Sequence, residues 1–143
     1  MPSDTSERGL EELICQSLTG TACDPSGPKP DPHEAQPGAA GWLPGHPDDY
    51  DREYTVDVAQ LLAFLVVTQP EAFDGLNIAE EGPSRRKFLA RLQGEISKRG
   101  VIDVLRHGVK DGPHHVDFFY GTPSPGNEPA AKRYLQNRFS LSR

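Results

Sequence analysis

The chain has 143 residues, a mean hydropathy of −0.60, 14 Gly, 14 Pro and a net charge of −6, which predicts one soluble domain with a turn-rich part. A net negative charge excludes a protein that coats nucleic acid with its whole surface. Its distribution is uneven, however: residues 1–82 carry 3 basic and 16 acidic side chains, residues 83–143 carry 12 basic and 5 acidic ones. Such asymmetry is a hint of a charged partner, although from charge alone a solvated surface with internal charge complementarity is the favoured reading.

The N-terminal stretch, MPSDTSERGLEELI, lacks a basic region followed by an apolar one, so no secretory signal is read there. Asp4 to Leu18 predicts a helix, with Asp4 as cap and Glu7 in capping-box position. Leu10, Leu13, Ile14 and Leu18 fall on one face at helical spacing. Cys15 lies near that face and reads as a packing residue. Cys15 and Cys23 are the only cysteines; two thiols make no disulfide framework, and a reducing cytoplasm is the expected compartment.

Residues 19–53 contain seven prolines and five glycines. That composition predicts a long loop or linker, with Trp42, Leu43 and Tyr50 as candidate anchors. Thr55 to Thr68 predicts a helix apolar nearly all round, hence a core or interface helix. A buried strand at Leu61–Val67 is the competing reading. Asp51 and Thr55 are its candidate caps, and Pro70 ends it. The apolar run Leu61–Val67 is far too short to span a bilayer, which needs about 20 residues.

Pro83 to Arg99 predicts a second helix, with proline in its first turn and Gly100 as its left-handed stop. Phe88, Leu89, Leu92 and Ile96 form its apolar face; Lys87, Arg91 and Lys98 share a polar face. Glu95 can pair with Arg91 and Arg99 at four-residue spacing. A short helix, Ile102 to His107, follows and closes at Gly108. Val116 to Tyr120 predicts a strand entered from the turn Asp111-Gly112-Pro113, and Ala130 to Gln136 a short helix. Phe139 and Leu141 alternate with polar residues as in a strand, one expected to need partners from outside these residues. The fold class expected is α/β, predominantly helical: an N-terminal helix (1–18), a loop or linker (19–53), and a helical region leading into the first strands (54–143).

A metal-dependent nuclease of the common restriction type needs an Asp and, on the next strand, an acid two residues before a Lys. The carboxylates hold Mg²⁺ at the scissile phosphate, and the lysine stabilises the developing charge. The residues two before Lys29, Lys87, Lys98, Lys110 and Lys132 are Gly27, Arg85, Ile96, Gly108 and Ala130. None is acidic, so that centre is not encoded in these residues. His114, His115 and Asp117 are a weak candidate metal site, on which a small metal-dependent hydrolase is the least favoured reading, because adjacent histidines on a strand point to opposite faces. Neither a G-x-S-x-G elbow nor a Walker phosphate loop occurs. Lys87, Arg91 and Lys98, with Arg85, Arg86 and Arg106 nearby, are the candidate contacts to DNA phosphates or to a partner protein.

Four stretches resemble the amino-terminal region of the R (restriction) subunit of type I restriction endonucleases. They are PSDTSERGLEELI, DYDREYTVDVAQLLAFL, GPSRRKFLARLQGEISKRGVIDVLRHGVKDGPHHVDFFYGTPSPGN and NRFSLSR. Together they span nearly the whole chain except the Pro/Gly-rich loop. The resemblance implies the early part of a restriction-endonuclease-like nuclease domain. In full-length members an ATP-driven translocase follows it, and cleavage depends on Mg²⁺. It also implies partners: DNA, and the methyltransferase (M) and specificity (S) subunits. For these 143 residues alone it implies an inactive fragment without cofactor, since the family's carboxylates and lysine would lie in strands beyond Arg143. Glu7 or Glu11 would correspond to a first-helix glutamate that helps to hold the metal in related nucleases.

Overall fold

A computed structural model describes residues 5–21, 23, 26–28 and 42–141. It is mixed α/β, with six α-helices and three two-stranded sheets among the described residues. No helix among them is long and apolar enough to cross a membrane.

The centre is helix α2 (Val58–Thr68). Its N-cap is Asp57, whose Oδ1 accepts from the Gln60 N–H at 3.0 Å. Neither expected cap serves. Asp51 accepts from the Glu53 and Tyr54 N–H groups in a turn, and Thr55 sits in that turn at positive φ. Phe64 and Leu65 are buried with Phe73, Ile78, Phe88, Leu89 and Val116. A second cluster, Leu92, Val104 and Val109, joins the first through Leu61 and Phe118. Pro70 ends α2 and also opens a helix the sequence did not announce, α3 (Pro70–Leu76). Proline suits a first helical turn because its missing N–H needs no partner there.

Helix α4 (Pro83–Arg99) has the predicted bounds and buries Phe88, Leu89 and Leu92. Gly100 at φ +87 turns the chain into α5 (Val101–His107). Strands β4 (Val109–Asp111) and β5 (His114–Val116) form an antiparallel hairpin against α4 and α3. Gly112, at φ +59, occupies the first central turn position, where a II′ turn requires glycine.

The strand expected at Val116–Tyr120 is therefore displaced: β5 ends at Val116. The segment after it is held by side-chain amides instead of a neighbouring strand. Gln69 accepts the Asp117 N–H and donates to the Asp117 C=O, both at 2.7 Å. Asn137, buried, does the same for Tyr120 at 2.9 and 2.7 Å. Each amide presents an N–H donor and its oxygen acceptor to the one residue, and so satisfies the backbone as a strand would.

Inside residues 19–53 lie β1 (Trp42–Pro44), a 3-10 turn at Pro47–Asp49, and β2 (Tyr50–Asp51), which pairs with β3 (Val56–Asp57). The anchors divide: Leu43 is fully buried, Trp42 packs at a tilt against Phe139, and Tyr50 is exposed. Helix α6 (Glu128–Leu135) precedes β6 (Phe139–Leu141). The partner expected from outside is found within the chain, because β6 pairs in parallel with β1. Two side-chain links fasten β6 and the residue before it to the start of α2: Ser140 Oγ donates to Asp57 Oδ2, and Arg138 donates to the buried Gln60 Oε1.

Helix α1 (Glu7–Thr19) is capped by Ser6, whose Oγ accepts from the Gly9 N–H; Asp4, the expected cap, lies outside the described residues. The helix lies on β1 and buries Gly9, Cys15 and Thr19. The predicted apolar face is mostly turned out, with Leu10, Leu13 and Ile14 exposed. The two cysteines form a Cys15–Cys23 disulfide with Cα atoms 6.0 Å apart, where reduced thiols were expected.

Candidate nucleic-acid interface

An α-helix advances 100° per residue, so Lys87, Arg91 and Lys98 fall within a narrow angular stripe. Phe88, Leu89 and Leu92 anchor the opposite side of α4 in the core, which fixes that stripe toward solvent. Gly94 lies within it and has open space where a Cβ would stand. The ridge from Lys87 to Lys98 is about 16 Å long at 1.5 Å per residue.

At the ridge's flank, α4, α5 and the β4–β5 hairpin enclose a cleft of about 320 Å³. Arg91, Lys110, His107 and His115 line it, with Glu95 and Arg99 on its wall. Arg91 is positioned by its Nε, which donates to the Lys110 carbonyl at 3.0 Å. Gly108 at φ +68 permits the close approach of α5's end to β5, since a Cβ there would strike the Val116 carbonyl. Lys110 gave no signal in the sequence, and His115 was singled out there only as a metal candidate, because only the α5–hairpin packing brings these residues beside Arg91.

The cations fall into two kinds. Arg99 is a strut: its Nε donates to Asp103 at 2.6 Å and its Nη1 to Glu95 at 3.1 Å and the Gly108 carbonyl at 3.0 Å. The hydrogen bonds to Asp103 and then Glu95 raise its pKa, and the bond from Arg99 lowers that of Asp103. Of the two partners foreseen for Glu95, only Arg99 is taken up. Arg85 is also a strut, donating to the Ile78 and Ala79 carbonyls at 3.0 and 2.6 Å. By contrast, Arg86, Lys87, Arg91, Lys98, Arg106 and Lys110 form no ion pair among the described residues. Like charges four apart on a helix destabilise it by a few tenths of a kcal/mol, so Lys87 over Arg91 is not explained by stability.

The other candidate sites are separated. The His114 ring lies against Gly75 of α3, whereas His115 Nε2 is 3.0 Å from Asp117 Oδ1. The strand's alternation sends the two rings to opposite faces, so His114, His115 and Asp117 do not converge. Among the described residues no three His, Cys, Asp or Glu side chains are grouped to hold a metal. Glu7 and Glu11 are exposed on α1, whose main packing partner is β1 and not the α4 platform.

Comparison with protein-family models, with curated proteins and with solved structures returns no match.

Proposed function

We propose that this chain is the amino-terminal region of the R subunit of a type I restriction enzyme, and that its α4 face seats it on the phosphate backbone of duplex DNA. The observation that carries the DNA reading is the convergence of Lys87, Arg91 and Lys98 with Lys110 on one face without carboxylate partners among the described residues. The ridge presents three cations along about 16 Å, enough for about three phosphate contacts on the DNA backbone. Such contacts hold a protein in register without reading sequence. In this reading sequence choice belongs to the S subunit, and Mg²⁺ and ATP serve parts of the R subunit other than these residues.

Two of the stretches that resemble the R subunit support the assignment by being bonded to each other. Asp57 and Gln60 belong to DYDREYTVDVAQLLAFL; Arg138 and Ser140 belong to NRFSLSR. Those polar residues hold β6 to α2, which gives a physical reason for both stretches to occur in one chain.

Binding to a labelled duplex, followed by fluorescence anisotropy, tests the DNA reading. The logarithm of affinity should fall with the logarithm of salt with a slope of about −3. The variant Lys87→Glu/Arg91→Glu/Lys98→Glu should lose that slope. Unchanged affinity in the folded variant would overturn the reading. The family assignment has its own test: the reading frame past Arg143 should encode an Asp and then a Glu-x-Lys strand. A stop codon followed by unrelated sequence would refute it.

A further inference from the structure

The side of the molecule away from the basic ridge carries an open groove of about 860 Å³. Its floor is a helical stripe. Val58, Leu62 and Val66 stand at four-residue spacing on α2, half-buried, with Phe73 and Leu89 beneath. A helix apolar all round is expected to have every face covered, and this face of α2 is only partly so. One lip is the 3-10 turn and the β2–β3 loop, bearing Asp48, Asp49, Asp51 and Glu53; Gln93 of α4 fixes that lip by donating to the Glu53 carbonyl at 2.6 Å. The other lip bears Glu81, Arg85 and Arg86, and Arg85 is already folded onto the Ile78 and Ala79 carbonyls.

We infer that this groove docks a cationic amphipathic segment of a partner protein, with apolar side chains on the α2 stripe and Lys or Arg side chains against the carboxylate lips. Five carboxylates and two guanidiniums surround the apolar floor; Asp51 also caps its own turn and Asp48 lies 3.6 Å from His46, but the rim keeps a net negative charge, so charge complementarity selects a basic occupant and the floor selects one with apolar anchors. A helix in a groove reads such a stripe through side chains at i, i+3 and i+4. Nucleic acid fits poorly, because its phosphates would meet carboxylates. The α4 ridge of a second copy would supply Lys87, Arg91 and Lys98 but no apolar side chain among them. The inference stands apart from the DNA reading, which uses a different face.

The probe is a labelled helical peptide of repeating Leu-Lys-Lys-Leu pattern, with a counterpart carrying Glu at each Lys, titrated into the full chain. The Lys peptide should bind at least about tenfold more tightly than the Glu peptide. Glu53→Lys/Glu81→Lys should weaken it by about tenfold or more and make it insensitive to salt. Amide shifts should map to residues 48–66 and 81–89, leaving Lys98 and Lys110 unmoved. Equal binding of both peptides, indifference to the charge reversal, or shifts confined to other surfaces would each overturn the inference. So would sedimentation showing a dimer that Glu53→Lys/Glu81→Lys dissolves, since the occupant would then be a second copy.

Discussion

Helix α4 has cations on two flanks, and the flanks meet different surroundings. On the groove side Arg85 is spent on two carbonyls and Arg86 looks across at a lip of carboxylates. On the ridge side Lys87, Arg91 and Lys98 face solvent, and Arg91 alone is steered, through one bond from its Nε. In the sequence these five residues form one basic cluster. A cation's role depends on which acceptors the fold brings within reach: Arg85 closes a loop, while Arg91 makes one backbone bond and forms no ion pair among the described residues.

The largest test removes the wall between the two flanks. Phe88 is 1% exposed and stacks beside Phe118. Phe88→Ala should cost about 3–5 kcal/mol, the usual loss for a buried aromatic, read by urea unfolding. A loss below about 1 kcal/mol would mean that α4 does not separate the two surfaces through a shared core. Next, Asn137→Ala leaves both backbone groups of Tyr120 without their side-chain partner. That should cost about 1–3 kcal/mol, and hydrogen exchange at the Tyr120 amide should accelerate.

The contrast itself is sharpened by a pair of substitutions. Arg91→Ala should lower DNA affinity several-fold and reduce the salt slope by about one contact's worth, 0.9, with stability nearly unchanged. Arg85→Ala should do the reverse, costing about 1 kcal/mol of stability and leaving DNA affinity alone. Should the effects be exchanged, the division of the helix into strut and interface fails.

The smallest effect concerns the strut at α4's end. Arg99 holds the Asp103 carboxyl below its ordinary value of 3.8. A depressed acid stabilises the fold above its unfolded pKa, and that contribution is lost as pH falls through the lower folded value. NMR titration of Asp103 should therefore give a midpoint below 3.8, returning toward it in Arg99→Gln. An unmoved midpoint would deny the pairing.

The bounds of α4, the identity of α2 as a core helix, the stops at Gly100 and Gly108, and the solvent stripe of Lys87, Arg91 and Lys98 are legible in the order of residues alone. Each follows from periodicity and capping, which act over a few neighbouring residues. Long-range packing, by contrast, sets the clamping of the chain after Val116 by Gln69 and Asn137, the pairing of β6 with β1, the outward turn of Leu10 and Leu13 on α1, and the place of Lys110 and His115 beside Arg91. Those outcomes join residues far apart in the chain, such as Gln60 and Arg138 at a separation of 78. A polar side chain carries no local mark of the distant backbone or guanidinium group that will satisfy it.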